Sequence, residues 1–266
     1  MTRVGLVVLE FFASCLLPFH PQVVSPFQAI LDYERNNSIP PGYINFSISR
    51  GAPTGAWQRI ERGEIPLDDA FYREFKADLE RKDFWEEYYR KVLSLEKDQT
   101  MGSSAIPPVP RIDAENLFLT MMTKSKQPDP HVYPALKKLK ASGKFKLAAL
   151  SNNVIFPEGH FLRRMSEDGI RNMFEIFVGS SVVGMRKPDR EIYEYTMEQI
   201  RNRWGRELQP QDVVFVDDIG GNLKTARTLG MRTIRVILGK TDDAVRELEK
   251  VTGLKLLEQD GARSRL

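Results

Sequence analysis

At 266 residues the chain is long enough for one large domain or for a core carrying an inserted module. Its 39 basic and 36 acidic residues leave a formal charge of +3, too balanced for a nucleic-acid surface, and no basic run interleaves with aromatics. The 41% hydrophobic and 28% charged content is that of a soluble globular protein, and the single cysteine, Cys15, excludes an internal disulfide and fits a reducing, cytoplasmic setting.

In chain order, Arg3 and the apolar residues 4–17 have the outline of a signal peptide. Glu10 places a charge in the middle of that stretch, and its length falls short of the ~20 residues that a spanning helix needs. The expectation is therefore a buried first strand running into a loop, with no membrane insertion. Residues 25–98 show no alternating strand pattern; 67–79 and 83–95 read as helices rich in aromatics, and 101–112 as a Ser/Pro-rich connector, followed by a helix over 114–122. Beyond it, short apolar runs alternate with helical periodicity. Residues 145–150 form a strand that enters the polar turn Ser151-Asn152-Asn153, and 174–178 a second strand before the loop 179–187. Ile192, Tyr193, Met197 and Ile200 repeat at helical spacing within 189–204. Residues 213–216 close on Asp217-Asp218, 219–229 form a helix stopped by Gly230, 233–237 a further strand and 242–248 a late helix.

Short apolar strands between helices predict an α/β fold: a Rossmann-like parallel sheet with helices on both faces and a helical cap inserted after the first strand. The expected division is an α/β core over 1–24 and 111–258, a cap and connector over 25–110, and a frayed tail over 259–266.

Ligands of an open parallel sheet gather at the carboxyl ends of its strands. There the chain offers Ser151 and Asn152, a hydroxyl and an amide beside turn N–H groups that suit an anion. Lys187-Pro188 follows the second strand's loop, the proline restricting the lysine backbone so that its ammonium points inward. Asp217-Asp218 follows the next strand, and paired carboxylates beside a phosphate site suit Mg²⁺. Taken singly, each has a commoner explanation as a turn or a helix N-cap. Their shared position, each just after an apolar run or its loop, favours one phosphate and Mg²⁺ cleft. His20, His131 and His160 lack metal-ligand spacing and read as surface or loop residues. Cys15 has no neighbouring histidine to activate it, and Trp57, Phe84 and Trp85 read as the cap's own small core.

The runs 147–153 (LAALSNN), 184–193 (GMRKPDREIY) and 213–222 (VVFVDDIGGN) resemble the second, third and fourth motifs of the haloacid dehalogenase superfamily. The cap segments 39–42 (IPPG) and 56–65 (AWQRIERGEI) are similar to a subgroup found at the amino terminus of soluble epoxide hydrolases and of acyl-CoA dehydrogenase fusion proteins. The resemblance spans about residues 25–238. It implies a Mg²⁺-dependent phosphatase for a small organic phosphate: Ser151 and Asn152 at the phosphoryl group, Lys187 neutralising phosphate and nucleophile, Asp217 and Asp218 holding or orienting the metal. It also implies an aspartate that forms an aspartyl-phosphate at the end of the first strand.

That aspartate is absent. Glu10 stands in the nucleophile's place and as a possible metal ligand, with Phe12 where the general acid/base belongs. The added methylene shifts the attacking oxygen by about 1.5 Å, a misplacement that costs ~10²-fold or more in rate. Three readings follow: a degenerate hydrolase that keeps its pocket as a binding module, a working enzyme in which Glu10 substitutes, or an amino terminus (residues 1–22) that is not the natural one. Oligomeric state is not readable here.

Overall fold

The computed structural model describes residues 5–9, 26–93, 106–124, 129–164 and 171–257. Five strands, β1 (Gly5–Leu9), β2 (Phe145–Ser151), β3 (Ile176–Gly179), β4 (Val213–Asp217) and β5 (Arg232–Arg235), form one sheet in the order β3-β2-β1-β4-β5 with every pairing parallel. Gly5–Leu9, within the stretch expected to begin with a strand, form the middle of this sheet. Leu9 pairs with Ala149 on one side and with Val216 on the other.

Alternation along the strands builds the layers. Leu147 and Ala149 of β2, with Val214 and Val216 of β4, face α7 (Val132–Ser142) and α12 (Thr241–Thr252), whose Leu136, Leu139, Val245 and Leu248 complete that core. Ala148, Leu150, Val213 and Phe215 point the other way, onto Ile192, Tyr193, Met197 and Ile200 of α10 (Arg190–Trp204) and Leu223 and Ala226 of α11 (Gly220–Thr228). Two buried faces explain why these strands read as continuous apolar runs.

The chain between β1 and β2 is helical where described: α1 (Pro26–Asn36), α2 (Tyr43–Arg50), α3 (Ala56–Glu61), α4 (Asp69–Leu79), α5 (Lys82–Tyr88, continued by a wider turn over Tyr89–Leu93) and α6 (Ala114–Lys124). Asp68 caps α4 by accepting from the Phe71 N–H at 3.0 Å. The buried Glu34 carboxylate of α1 accepts from the Gly42 and Ile44 N–H groups at 2.7 and 2.8 Å, satisfying the start of α2. Phe84 and Trp85 are buried here, as expected of cap-core residues.

Ile112, Ala114, Leu117, Phe118 and Met121, at the start of the span expected to resume the α/β core, pack in one apolar cluster with α1–α5 and with Phe156 and Leu162 beyond β2. An amphipathic helix carries one apolar stripe and does not say which partner covers it. The sequence reading also passed over α1, α2, α3 and α7 as helices. Two short helices, α8 (Phe161–Arg164) and α9 (Ser180–Val183), flank β3. Among the described residues no helix is long and apolar enough to cross a membrane.

Candidate phosphate and metal site

The Lys187 side chain is the centre of the site. It is fully buried, and its Nζ donates to the Leu150 carbonyl at 2.9 Å and to Asp217 Oδ2 at 3.0 Å, with the Phe215 ring centroid 5.6 Å away. Leu150 and Asp217 are each one residue beyond the partners of Leu9, so the ammonium bridges the tips of β2 and β4 across the end of β1. Glu10, the next residue of the chain after Leu9, lies outside the described residues, as do Phe12, Cys15 and His20.

Three neighbours hold the lysine there. The Asn152 amide clamps the Lys187 backbone from both sides, donating from Nδ2 to its carbonyl at 3.0 Å and accepting its N–H at Oδ1 at 2.8 Å. Thr225 of α11 donates to the Pro188 carbonyl at 2.9 Å. The third is Asp217 itself, which accepts the Ile219 N–H at 2.7 Å and the Asn222 amide at 3.2 and 3.0 Å. Each Asp217 carboxylate oxygen thus receives two donors, the kind of satisfaction that a buried ion pair requires.

Asp218 is different. Its Oδ1 is buried and has no hydrogen-bond partner among the described residues. Burial first, and the Asp217 charge second, push its carboxyl up to about 7. A buried, unpartnered carboxylate oxygen fits a hard cation, and Mg²⁺ needs only one or two protein carboxylates, with substrate oxygens and water completing its shell. Among the described residues no cluster of three or more acidic, His or Cys side chains gathers.

Ser151 ends β2, fully buried. The turn after it is tied to the end of β3: Ser180 Oγ accepts the Asn153 N–H at 2.9 Å, and a Cβ on Gly179 would stand 2.8 Å from Asn153 Oδ1. Ser151, Asn152, Lys187, Asp217 and Asp218 thus all lie at the carboxyl ends of β2 and β4 or in the loops beside them. Asn152, expected at the phosphate, has both ends of its amide on the lysine backbone. Sequence reasoning missed Asn222, the Leu150 carbonyl and Arg186; a carbonyl acceptor carries no side-chain signal at all, and Asn222 reads only as part of a glycine turn.

Above the strand ends, a cavity of about 400 Å³ opens between cap and core. Lys187, Asn152 and Asn222 line its core side, and Ile48, Trp57 and Glu61 its cap side. His160 is not part of that wall; it is stacked between Phe156 and Phe161, with Nδ1 accepting the Leu162 N–H at 3.2 Å.

The family model for haloacid dehalogenase-like hydrolases matches residues 28–230. The chain belongs to this family. Bifunctional epoxide hydrolase 2 of Sus scrofa is 31% identical over 228 residues, 85% of this chain and 36% of the relative, so the chain spans about a third of that protein's length. A sesquiterpene phosphatase of Aspergillus oryzae is 26% identical over 175 residues, 66% of this chain and 69% of the relative. Among solved structures, a dehalogenase with an intermediate complex superposes with a TM-score of 0.52 at 15% identity, covering 96% of this chain and 100% of that one, a likeness of fold. The haloacid dehalogenase-like fold agrees with the parallel sheet and helical insert described above.

Proposed function

We propose that this haloacid dehalogenase-like hydrolase is a Mg²⁺-dependent phosphatase of a small organic phosphate, its turnover limited by Glu10. One observation carries the reading: a fully buried lysine held between the tips of β2 and β4, beside a buried carboxylate oxygen that has no hydrogen-bond partner among the described residues. In this assignment Lys187 neutralises the phosphoryl oxygens and the attacking group at the strand tips. Asp217 and Asn152 are positioning residues that hold the ammonium and its backbone. The Ser151 hydroxyl donates to the phosphoryl group. Asp218 holds Mg²⁺, with Glu10 as a second ligand, and the ion when bound supplies positive charge to the phosphate. The cap walls the cavity and limits water around the reacting atoms.

Glu10 follows β1 in the position where the family resemblance expects an aspartate nucleophile. Its longer side chain favours a second reading, a non-catalytic protein that keeps phosphate and Mg²⁺ binding as an interaction device. Purified chain assayed for cleavage of an aryl phosphate, with and without Mg²⁺, tests both. Weak Mg²⁺-dependent turnover abolished by Asp218→Ala, with a gain of about 10²-fold or more in Glu10→Asp, is the expected result. An inert wild type that Glu10→Asp does not awaken overturns the phosphatase.

A further inference from the structure

The cavity holds a second charged pair that the phosphate reading leaves unused. Glu61 closes α3 in the cap, Arg186 precedes Lys187 in the core loop, and both line the cavity wall. The Arg186 Nε and Nη2 donate to Glu61 Oε2 at 2.7 and 2.6 Å. Burial pushes the Glu61 carboxyl up from its ordinary value, and the charges of Arg186 and Lys187 act against that rise. With side-chain exposures of 14% for Arg186 and 9% for Glu61, the pair is largely withdrawn from solvent. Much of the remaining wall is apolar, with Ile30, Ile48, Met121 and Phe156 among its side chains.

A guanidinium next to a phosphate-binding lysine is a ready receptor for a second anion on the same ligand. Glu61 takes that place with the protein's own carboxylate. A ligand carrying a second acid must then expel Glu61, leaving a buried acid without its cation, or remain desolvated and unpaired itself. An uncharged alkyl or terpenoid-like group meets neither obstacle and gains from the apolar wall.

We propose that Glu61, by occupying Arg186, makes the cavity select phosphate monoesters whose organic part is uncharged and apolar, and reject those bearing a second acidic group. This rests on the phosphate-site reading above and adds a specificity residue from the cap. If the pair is only a strut between cap and core, removing it changes stability and leaves selectivity where it was.

The test uses the full chain with Mg²⁺ and three probes: inorganic phosphate, butyl phosphate, and the same butyl ester ending in a carboxylate. The rise in unfolding temperature with probe concentration reports each affinity. Wild type is expected to bind butyl phosphate at least about tenfold more tightly than its carboxylate counterpart. Glu61→Gln keeps the shape and a hydrogen-bond acceptor while freeing the guanidinium charge, and narrows or inverts that ratio by about tenfold. Adding Arg186→Met to Glu61→Gln removes the gain. Equal affinities in wild type, or an unaltered ratio in folded Glu61→Gln, overturn the proposal; should Glu61→Gln not fold, the wild-type ratio still decides. Failure of wild type to bind inorganic phosphate is a different result, because it removes the phosphate site itself.

Discussion

Replacing Lys187 by Met keeps most of the side-chain stem and deletes the ammonium. Lys187 and Asp217 are both at 0% side-chain exposure and 3.0 Å apart. After the substitution the Asp217 carboxylate keeps only the Ile219 N–H and the Asn222 amide, and the Leu150 carbonyl loses its donor. Leaving one member of a buried pair uncompensated costs about 3–5 kcal/mol, a large share of the ~5–15 kcal/mol that holds a domain folded. Adding Asp217→Asn removes the stranded charge, and the amide still accepts from Ile219. The double variant is therefore expected to be more stable than Lys187→Met by about 2 kcal/mol. Urea unfolding followed by tryptophan fluorescence, with m held constant, measures all four corners of the cycle. Losses in the double variant equal to the sum of the single losses would mean that the two groups do not sense each other, and the geometry proposed for the site's centre would be wrong.

Four other outcomes are expected. Because the folded chain holds the Asp218 proton up to about 7, against an ordinary 3.8, protonation favours the folded state; metal-free stability should fall as pH rises from about 4 to about 7. Thermal unfolding in EDTA should show that slope in wild type and a shallower one in Asp218→Asn, while Mg²⁺ affinity, read by calorimetry, strengthens over the same window. Asn152→Ala deletes both hydrogen bonds to the Lys187 backbone and should cost about 2 kcal/mol in urea unfolding, with phosphate binding weakened alongside. Gly63→Ala puts a Cβ 2.2 Å from the Ser181 carbonyl oxygen at a φ of +67°, where cap meets core, and should lower stability by about 2 kcal/mol or more by the same measurement. Glu10→Asp should raise aryl phosphate hydrolysis by about 10²-fold or more in steady-state assays.

The strands around the site were legible because burial on both faces leaves an unbroken apolar run, and 145–150, 174–178 and 213–216 each end near the strand the chain forms. The helical insert was legible as a change of pattern, though α1 to α3 were not separable within it. Ser151, Lys187, Asp217 and Asp218 could be picked out as candidates because polar residues just after such a run, or its loop, stand at the carboxyl ends of the strands. Glu61 and Arg186 could not, since they are 125 positions apart and each alone is an ordinary surface charge on paper.

What the residues by themselves determined is the class of fold and which polar side chains stand at its strand ends, because periodicity and strand-end polarity are local properties of the chain. What only the tertiary structure decided is which groups are paired. It set Asp217 on the lysine, left Asp218 Oδ1 without a hydrogen-bond partner among the described residues, turned Asn152 to the backbone, packed α6 against the helices that precede it and joined a cap glutamate to a core arginine. Those outcomes depend on desolvation and on distances across the chain, and neither is written in the spacing of residues.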